Sequence, residues 1–490
     1  MFQPLVGVGS FSPTDVARIN LGIVSPSSPS YTDSLPIIQY KYTRYFNILV
    51  DGAILYASFD PIYLSGGMHS AVSFSATALL LKGSPLDAPA HNYADNHPGP
   101  NNYPPSHNDT SAYHDASKIS VLTNLYDNAR SGNNPYETKL TPAVVASSAF
   151  GLVATYAVQG AVYSQPLIMA GVAFQTPSGI RTTTGLFVST QHNMVYGFDA
   201  DAPGSAPLWS RSLGTPTAES DISTVRNCGD IAVEEVLWAL SVRSGASVVP
   251  PAVIGGTGSS NGQTFTFIPN IQNNRVGLAF DGTNGWMFAF NAVTLQQVGV
   301  FLGGNVLSNS GFWQSGSAPC IDSSGYLYIN VGNGKRDLPS ANFGNTLLKL
   351  QPPMSPSQLW QVNGVYQPMG ANYPVGDADY GSSGPTLANV DGTPMVLTGG
   401  KPGIVYLMPQ SALPSNGSGF QTSVSGNGLL YSSPIWYKSS TGLQRIDNLP
   451  NVPRSGPIKM VVPIVANGFV YVGYTDALVV FGVTSSSASG

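Results

Sequence analysis

Four of the six histidines, His91, His97, His107 and His114, fall in one stretch, interleaved with Asp95, Asp109 and Asp115. Imidazole and carboxylate together are the donor set for a zinc ion or another transition metal. The intervals between them, six, ten and seven residues, match no closed structural site. The surrounding string SPLDAPAHNYADNHPGPNNYPPSHNDTSAYHDAS (84–117) holds six prolines and almost no aliphatic side chain, so the preferred reading is a solvated linker, with zinc capture as the rival.

Calcium chemistry calls for oxygen ligands at alternating positions of a tight loop. Asp377 and Asp379 in GDADYG are the densest such pair, and Asp199/Asp201, Asp281, Asp322 and Asp391 sit in other glycine-rich turns. An Asp in a turn also bonds its own backbone, and that is the expectation for all but GDADYG. Glycoside cleavage needs two facing carboxylates. Glu219, Asp221, Asp230, Glu234 and Glu235 offer them in the string TAESDISTVRNCGDIAVEEVLW, which reads more simply as a surface excursion between repeats. The string QSGSAPC (314–320) lacks the strand–turn–helix setting of a nucleophilic serine, and His192 is a lone turn histidine. Cys228 and Cys320 form no CxxC or vicinal pair; one disulfide or two buried thiols both fit. No catalytic residue and no cofactor are expected from these patterns, and calcium or zinc remain the metals to test.

The elements that would position such groups are more legible. Five times an apolar run, a Gly/Asn/Asp turn and a second apolar run follow one another, at 186–199, 276–291, 326–350 with an insertion, 395–408 and 469–483. Period-two apolarity around a turn that tolerates positive φ predicts a β-hairpin. A hairpin that cannot bury its own faces must stack on its copies, and recurrence at this spacing predicts a β-propeller. About 365 residues at about 45 to 55 per four-stranded blade gives six to eight blades, with seven preferred. The predicted organisation is an all-β chain: a β-rich arm or module over 1–83, the linker 84–117, the propeller 118–484 and a Ser-rich tail, 485–490, expected to be disordered.

Composition limits the function. Only 9% of residues are charged, against about 25% in an average soluble domain, while Gly (54) and Pro (39) are enriched. The formal charge of −5 is spread thinly, which excludes nucleic-acid binding through phosphate neutralisation. No apolar run approaches the length of a membrane span, and the opening MFQPLVGVGSFSPTDVAR does not read as a secretory signal. A surface wetted by Ser, Thr, Asn and Tyr suits an extracellular setting. The 24 tyrosines suit recognition by stacking and hydrogen bonding, and Asn108-Asp109-Thr110 and Asn416-Gly417-Ser418 are glycan acceptor sequences.

Two long stretches carry a family resemblance. VLTNLYDNARSGNNPYETKLTPAVVASSAFGLVATYAVQGAVYSQPLIM (121–169) resembles the opening of bacterial pyrroloquinoline-quinone-like β-propellers, where YDNARTGxNxxETxLTPxNV leads into GxVYAQPL. LFVSTQHNMVYGFDADAPGSAPLWSRSLG (186–214) is similar to the first full repeat of that family, and segments at 311–350 and 377–387 match later ones. The resemblance implies that Asp199 and Asp201 form the acidic turn and that Trp209 docks between blades. Quinoprotein dehydrogenases are similar to one another in a funnel site with an Asp base, a calcium held by Glu and Asn, an Arg and often a vicinal disulfide. This chain has no adjacent cysteines and the calcium pair matches no position, so no catalytic residue is carried over and the quinone is not expected.

These features favour a non-catalytic structural or binding propeller of an extracellular surface assembly, whether virion, filament or cell coat, whose N-terminal arm docks, through residues 1–117, to copies of itself or to partner subunits. The alternatives are a divergent quinoprotein oxidoreductase with its site in the funnel, and a carbohydrate-binding or polysaccharide-acting propeller.

Overall fold

The computed structural model describes residues 118–217, most of 236–413, and 461–484. To these it adds the backbone of the short strands Ile48–Leu49, Thr77–Lys82, Ile231–Ala232, Asn274–Val276, Ala279–Phe280 and Phe420–Ser423. The candidates His91, His97, His107, His114, Asp281, Asp377, Asp379, Cys228 and the Glu219–Glu235 carboxylates lie outside the described residues.

All five repeats form hairpins. Leu186 pairs with Phe198, Ala279 with Met287, Leu327 with Leu350, Leu397 with Leu407 and Tyr471 with Val480. Each hairpin supplies the two middle strands of a four-stranded antiparallel sheet. One sheet runs Leu167–Thr176, Gly179–Ser189, Met194–Asp199, Trp209–Ser212 in chain order, and the others repeat that meander. Six four-stranded sheets occur among the described residues. In one of them Val236–Ser241 pairs antiparallel with Ala252–Val253 and parallel with Thr77–Lys82 of the N-terminal region.

Alternation along each strand explains why the sheets form a ring. In the first sheet Leu186 and Val188 pack with Tyr471, Leu478 and Val480 of the last one. Phe187, between them in sequence, points the other way and joins Trp209, Leu240 and Val242. In the fourth sheet Leu327 and Ile329 meet Phe288 and Phe290 of the third, whereas Tyr328 meets Val396 and Tyr406 of the fifth. A strand that is apolar on both faces has to be covered on both, and here the two covers are the preceding and following sheets.

The ring closes between the two ends of the described propeller. The final sheet takes Ile464–Ala466, Phe469–Gly473 and Ala477–Val483 from the C-terminal end and Phe150–Ala157 from the other, paired from Phe150↔Val483 to Ala157↔Ala477 with a bulge between Leu152 and Ala154. Just before that strand a single turn of helix, Pro142–Ala146, starts on Thr141, whose hydroxyl accepts from Val144 N, with Pro142 where a missing N–H costs nothing. Among the described residues no helix is long and apolar enough to cross a membrane.

Candidate functional site: the axial peptide

The first strand of each of these sheets has an edge unused by sheet pairing, and four of these edges converge on one peptide. Val121 exchanges two backbone bonds with Ile168 (2.8 and 3.0 Å), the carbonyl of Asn128 accepts from Ile321 N and that of Ala129 from Leu387 N (both 2.8 Å). The Tyr126 hydroxyl accepts from Val465 N at 2.8 Å, and Thr386 Oγ1 donates to the carbonyl of Arg130 at 3.2 Å. Ile168, Ile321, Leu387 and Val465 belong to the first strands of four different sheets. A dozen residues can touch four blades only where the blades come together, so 119–131 lies along the ring's axis.

The first strands share a local signal. Each begins directly after a proline: Pro166 before Leu167, Pro319 before Cys320, Pro385 before Thr386 and Pro463 before Ile464. Proline lacks a donor and is tolerated at a strand's start, where it leaves the preceding chain free to turn across the axis. Ser164 and Ser383, two residues before their prolines, tie those turns to the next strand by donating to the carbonyls of Ser189 and Gly399 (2.8 and 2.6 Å).

Two buried side chains fix the axial peptide. Gln165 pairs with it as another backbone would: Oε1 accepts from Leu125 N at 2.8 Å and Nε2 donates to the carbonyl of Thr123 at 3.0 Å. Arg130 is 4% exposed, and its Nε reaches the carbonyl of Pro319 (3.0 Å). Its Nη1 donates to Thr123 Oγ1 and to the carbonyls of Asn124 and Asp127, at 2.8 to 3.0 Å. Desolvation lowers this guanidinium to about 10, against the opposing pull of Asp127. The Asp127 carboxylate is itself occupied by the backbone N–H and hydroxyl of Ser131 (3.0 and 2.5 Å). Leu125, Tyr126 and Arg130 all hold positive φ, between 52° and 74°, a conformation that non-glycine residues keep only when surrounding bonds impose it. Cys320, a free thiol next to Pro319, is fully buried, and desolvation pushes it well above its ordinary value.

Chemically this is a scaffold in which Arg130, Gln165 and Asp127 are engaged, while Asn124 Oδ1 is buried without a partner. Its strong donors point at main-chain carbonyls, its nearby carboxylate is capped, and its thiol is held neutral. Among the described residues no group of three His, Cys, Asp or Glu side chains is gathered in a metal-binding arrangement.

The acidic turn closes on its own neighbours. Asp199, fully buried, is paired with Arg181 and accepts from Thr183 Oγ1 and from Asp201 N. Desolvation works to raise the Asp201 carboxyl, yet Lys118, at 2.6 Å, and Thr183 and Thr184 hold it below its usual range. Trp209 donates Nε1–H to the carbonyl of Val242 in the neighbouring sheet at 2.8 Å and lies on Gly197 and Gly245. Asp322 caps its own turn, accepting from Ser324 N and Tyr326 N, and Asp391 occupies a left-handed turn position, φ 49°. His192 packs over Gly160. Arg130, Gln165 and Asn124 were not among the residues singled out from the sequence, although the first two stand in the strings YDNAR and YSQP. The repeated proline before each first strand was the signal that could have located the axis.

No protein-family model matches this chain, and no curated protein matches its sequence. Solved structures do. The chain is similar to quinohemoprotein alcohol dehydrogenase from Comamonas testosteroni, with 14% identity, 72% of this chain and 57% of that one covered and a TM-score of 0.41. For quinohemoprotein alcohol dehydrogenase ADHIIG from Pseudomonas putida HK5 the values are 13%, 62%, 48% and 0.40. BamB from Moraxella catarrhalis is covered over 99% of its length, at 10% identity and a TM-score of 0.25. The chain thus spans about half the length of the dehydrogenases it matches.

Proposed function

We propose that this chain is a non-catalytic propeller serving as a rigid structural and binding unit in an extracellular surface assembly, with residues 1–117 docking to partner subunits or to copies of the same chain. The observation that carries this reading is the axial peptide. Where a propeller enzyme would gather reacting groups, this chain places its own backbone, and Arg130, Asp127 and Gln165 spend their bonds holding it. A peptide anchored to four blades also gives the N-terminal region a firm attachment, so that load on the arm is shared around the disc.

The rival is an oxidoreductase with its site in the funnel, which is where the names of the similar dehydrogenases point. The described axial residues fit such a group poorly. A bound quinone with calcium would need free carboxylates, and the one beside the axial peptide, Asp127, is capped by Ser131. One set of measurements separates the two readings. Sedimentation of the full chain should show concentration-dependent association, and quinone with calcium should neither bind nor support dye-linked alcohol oxidation. A monomer at all concentrations together with quinone-dependent turnover would reverse the assignment.

A further inference from the structure

Five of the six four-stranded sheets among the described residues are antiparallel throughout and draw all their strands from residues 150–483. The sixth departs from both rules. Val236–Ser241 has Ala252–Val253 on one edge and Thr77–Lys82 on the other, the latter in parallel over six pairs from Val236↔Thr77 to Ser241↔Lys82. That edge is not filled from the neighbouring chain, because Ile231–Ala232, the strand just before Val236 in sequence, pairs with Pro216–Thr217 instead. Thr77–Lys82 also brings a partner of its own, Ile48–Leu49, parallel along its far side. A pair of N-terminal strands therefore joins the ring through a single edge. Strand addition of this kind takes its strength from main-chain bonds and needs no hairpin to the acceptor.

The connection back to the ring is long for a short journey. Lys118, where the chain rejoins the propeller, is bonded to Asp201, two residues beyond the third strand of the first sheet. Leu240 of the acceptor strand packs in one cluster with Trp209 of that first sheet, so the two sheets are neighbours. Between Lys82 and Lys118 lie 35 residues (83–117), six of them prolines. Connections beyond about 12–15 residues are uncommon inside a compact domain. Fully extended, this one reaches about 120 Å, whereas a compact unit of the propeller's size is about 50 Å across. A tether longer than its span lowers the effective concentration of the strand at its own edge, and another copy held close by presents the identical edge.

We infer that Thr77–Lys82 is an exchangeable donor strand, which in the assembly leaves its own ring and completes the sheet of a second copy of this chain along Val236–Ser241. The six register pairs are the same in either case, so exchange sacrifices no strand pairing and is decided by which edge the strand meets. Reciprocal exchange closes a dimer, and onward exchange makes a filament. This role rests on the proposed docking of the arm, and it names the strand and the edge that join one copy to the next.

The test uses the full chain carrying Cys228→Ser and Cys320→Ala, so that no native thiol competes. Lys82→Cys and Ser241→Cys stand opposite each other in the register. Placed together in one dilute chain, they should close a disulfide. Placed on separate chains, one of them labelled with heavy nitrogen, then concentrated together and oxidised, they should give a covalent dimer whose linked peptide joins a labelled chain to an unlabelled one. Thr77→Cys, about 17 Å away along the strand, should give about tenfold less of that dimer with Ser241→Cys. Leu80→Pro removes a main-chain donor in mid-strand and should abolish association in sedimentation while the circular dichroism of the sheets is kept. A dimer no more abundant with Lys82→Cys than with Thr77→Cys would overturn the exchange, as would failure of the single-chain pair to close. Undiminished association of Leu80→Pro would also overturn it, and would leave the arm docking through another surface.

Discussion

Replacing Gln165 by leucine probes the axial peptide at its most economical point. The side chain is 3% exposed and makes two firm bonds to the peptide, accepting from Leu125 N and donating to the carbonyl of Thr123, with a longer contact of 3.4 Å from Asn124. Leucine keeps the volume and removes both bonds, leaving one N–H and one carbonyl without partners at a cost of about 1–3 kcal/mol each. Burying leucine in place of an amide returns about 1–2 kcal/mol, so the net loss at the middle of these ranges is about 2–3 kcal/mol. Because the hydrogen bonds of the Gln165 side chain go to the peptide, the loss should appear as local release of 119–131. Trypsin reports it, since the Arg130–Ser131 bond is inaccessible while Arg130 is buried. A loss of about 3 kcal/mol multiplies the open population, and with it the cleavage rate, by about 150 when reclosing is fast. Cleavage at Arg130 that is already rapid in the wild type, or that rises less than about threefold in Gln165→Leu, would refute the reasoning.

Three further outcomes follow from the same packing. Gly197→Ala drives a methyl into the ring of Trp209 and should cost about 1–3 kcal/mol, read as a lower urea midpoint with Trp209 fluorescence shifted to the red. Tyr126 is raised to about 12 in the folded chain by desolvation, so the folded state binds its proton more tightly than the unfolded state. Its contribution is whole below about pH 10 and fades as pH climbs toward 12; Tyr126→Phe should spare about 1.4 kcal/mol of the stability lost by pH 11, measured by urea titration at the two pH values. The Cys320 thiol, fully buried and pushed up by desolvation, should resist an aromatic disulfide reagent at pH 8 until urea unfolds the chain, and fast labelling in the native state would contradict its placement.

The hairpins were readable in advance because their signal is local. Strings such as LFV (186–188) and LYI (327–329) carry no charged or amide side chain, and a strand buried on both faces has to look that way. Ring closure was less accessible, since the pairing of Phe150–Ala157 with Ala477–Val483 joins residues more than 300 positions apart and has no local signature. The axial peptide was hidden for another reason. Arg130, Asn124 and Gln165 are polar residues in a loop, and a sequence does not reveal whether such residues face solvent or four converging strand edges. Acidic turns drew attention because Asp is the usual currency of metal sites. In the structure Asp199 is held by Arg181 and Thr183, and Asp322 by its own turn, so both are occupied by neighbours.

Hydrogen exchange across 119–131, followed by mass spectrometry on the full chain, tests the axial arrangement most directly. The reading requires the amides of Val121 and Leu125, together with Ile168, Ile321 and Leu387, to be protected to a similar degree and to open together, since each is bonded between the peptide and a first strand or its leading turn. Exchange of 119–131 within seconds while the sheets stay protected would show that the peptide lies outside the ring and that the axis is free for another occupant.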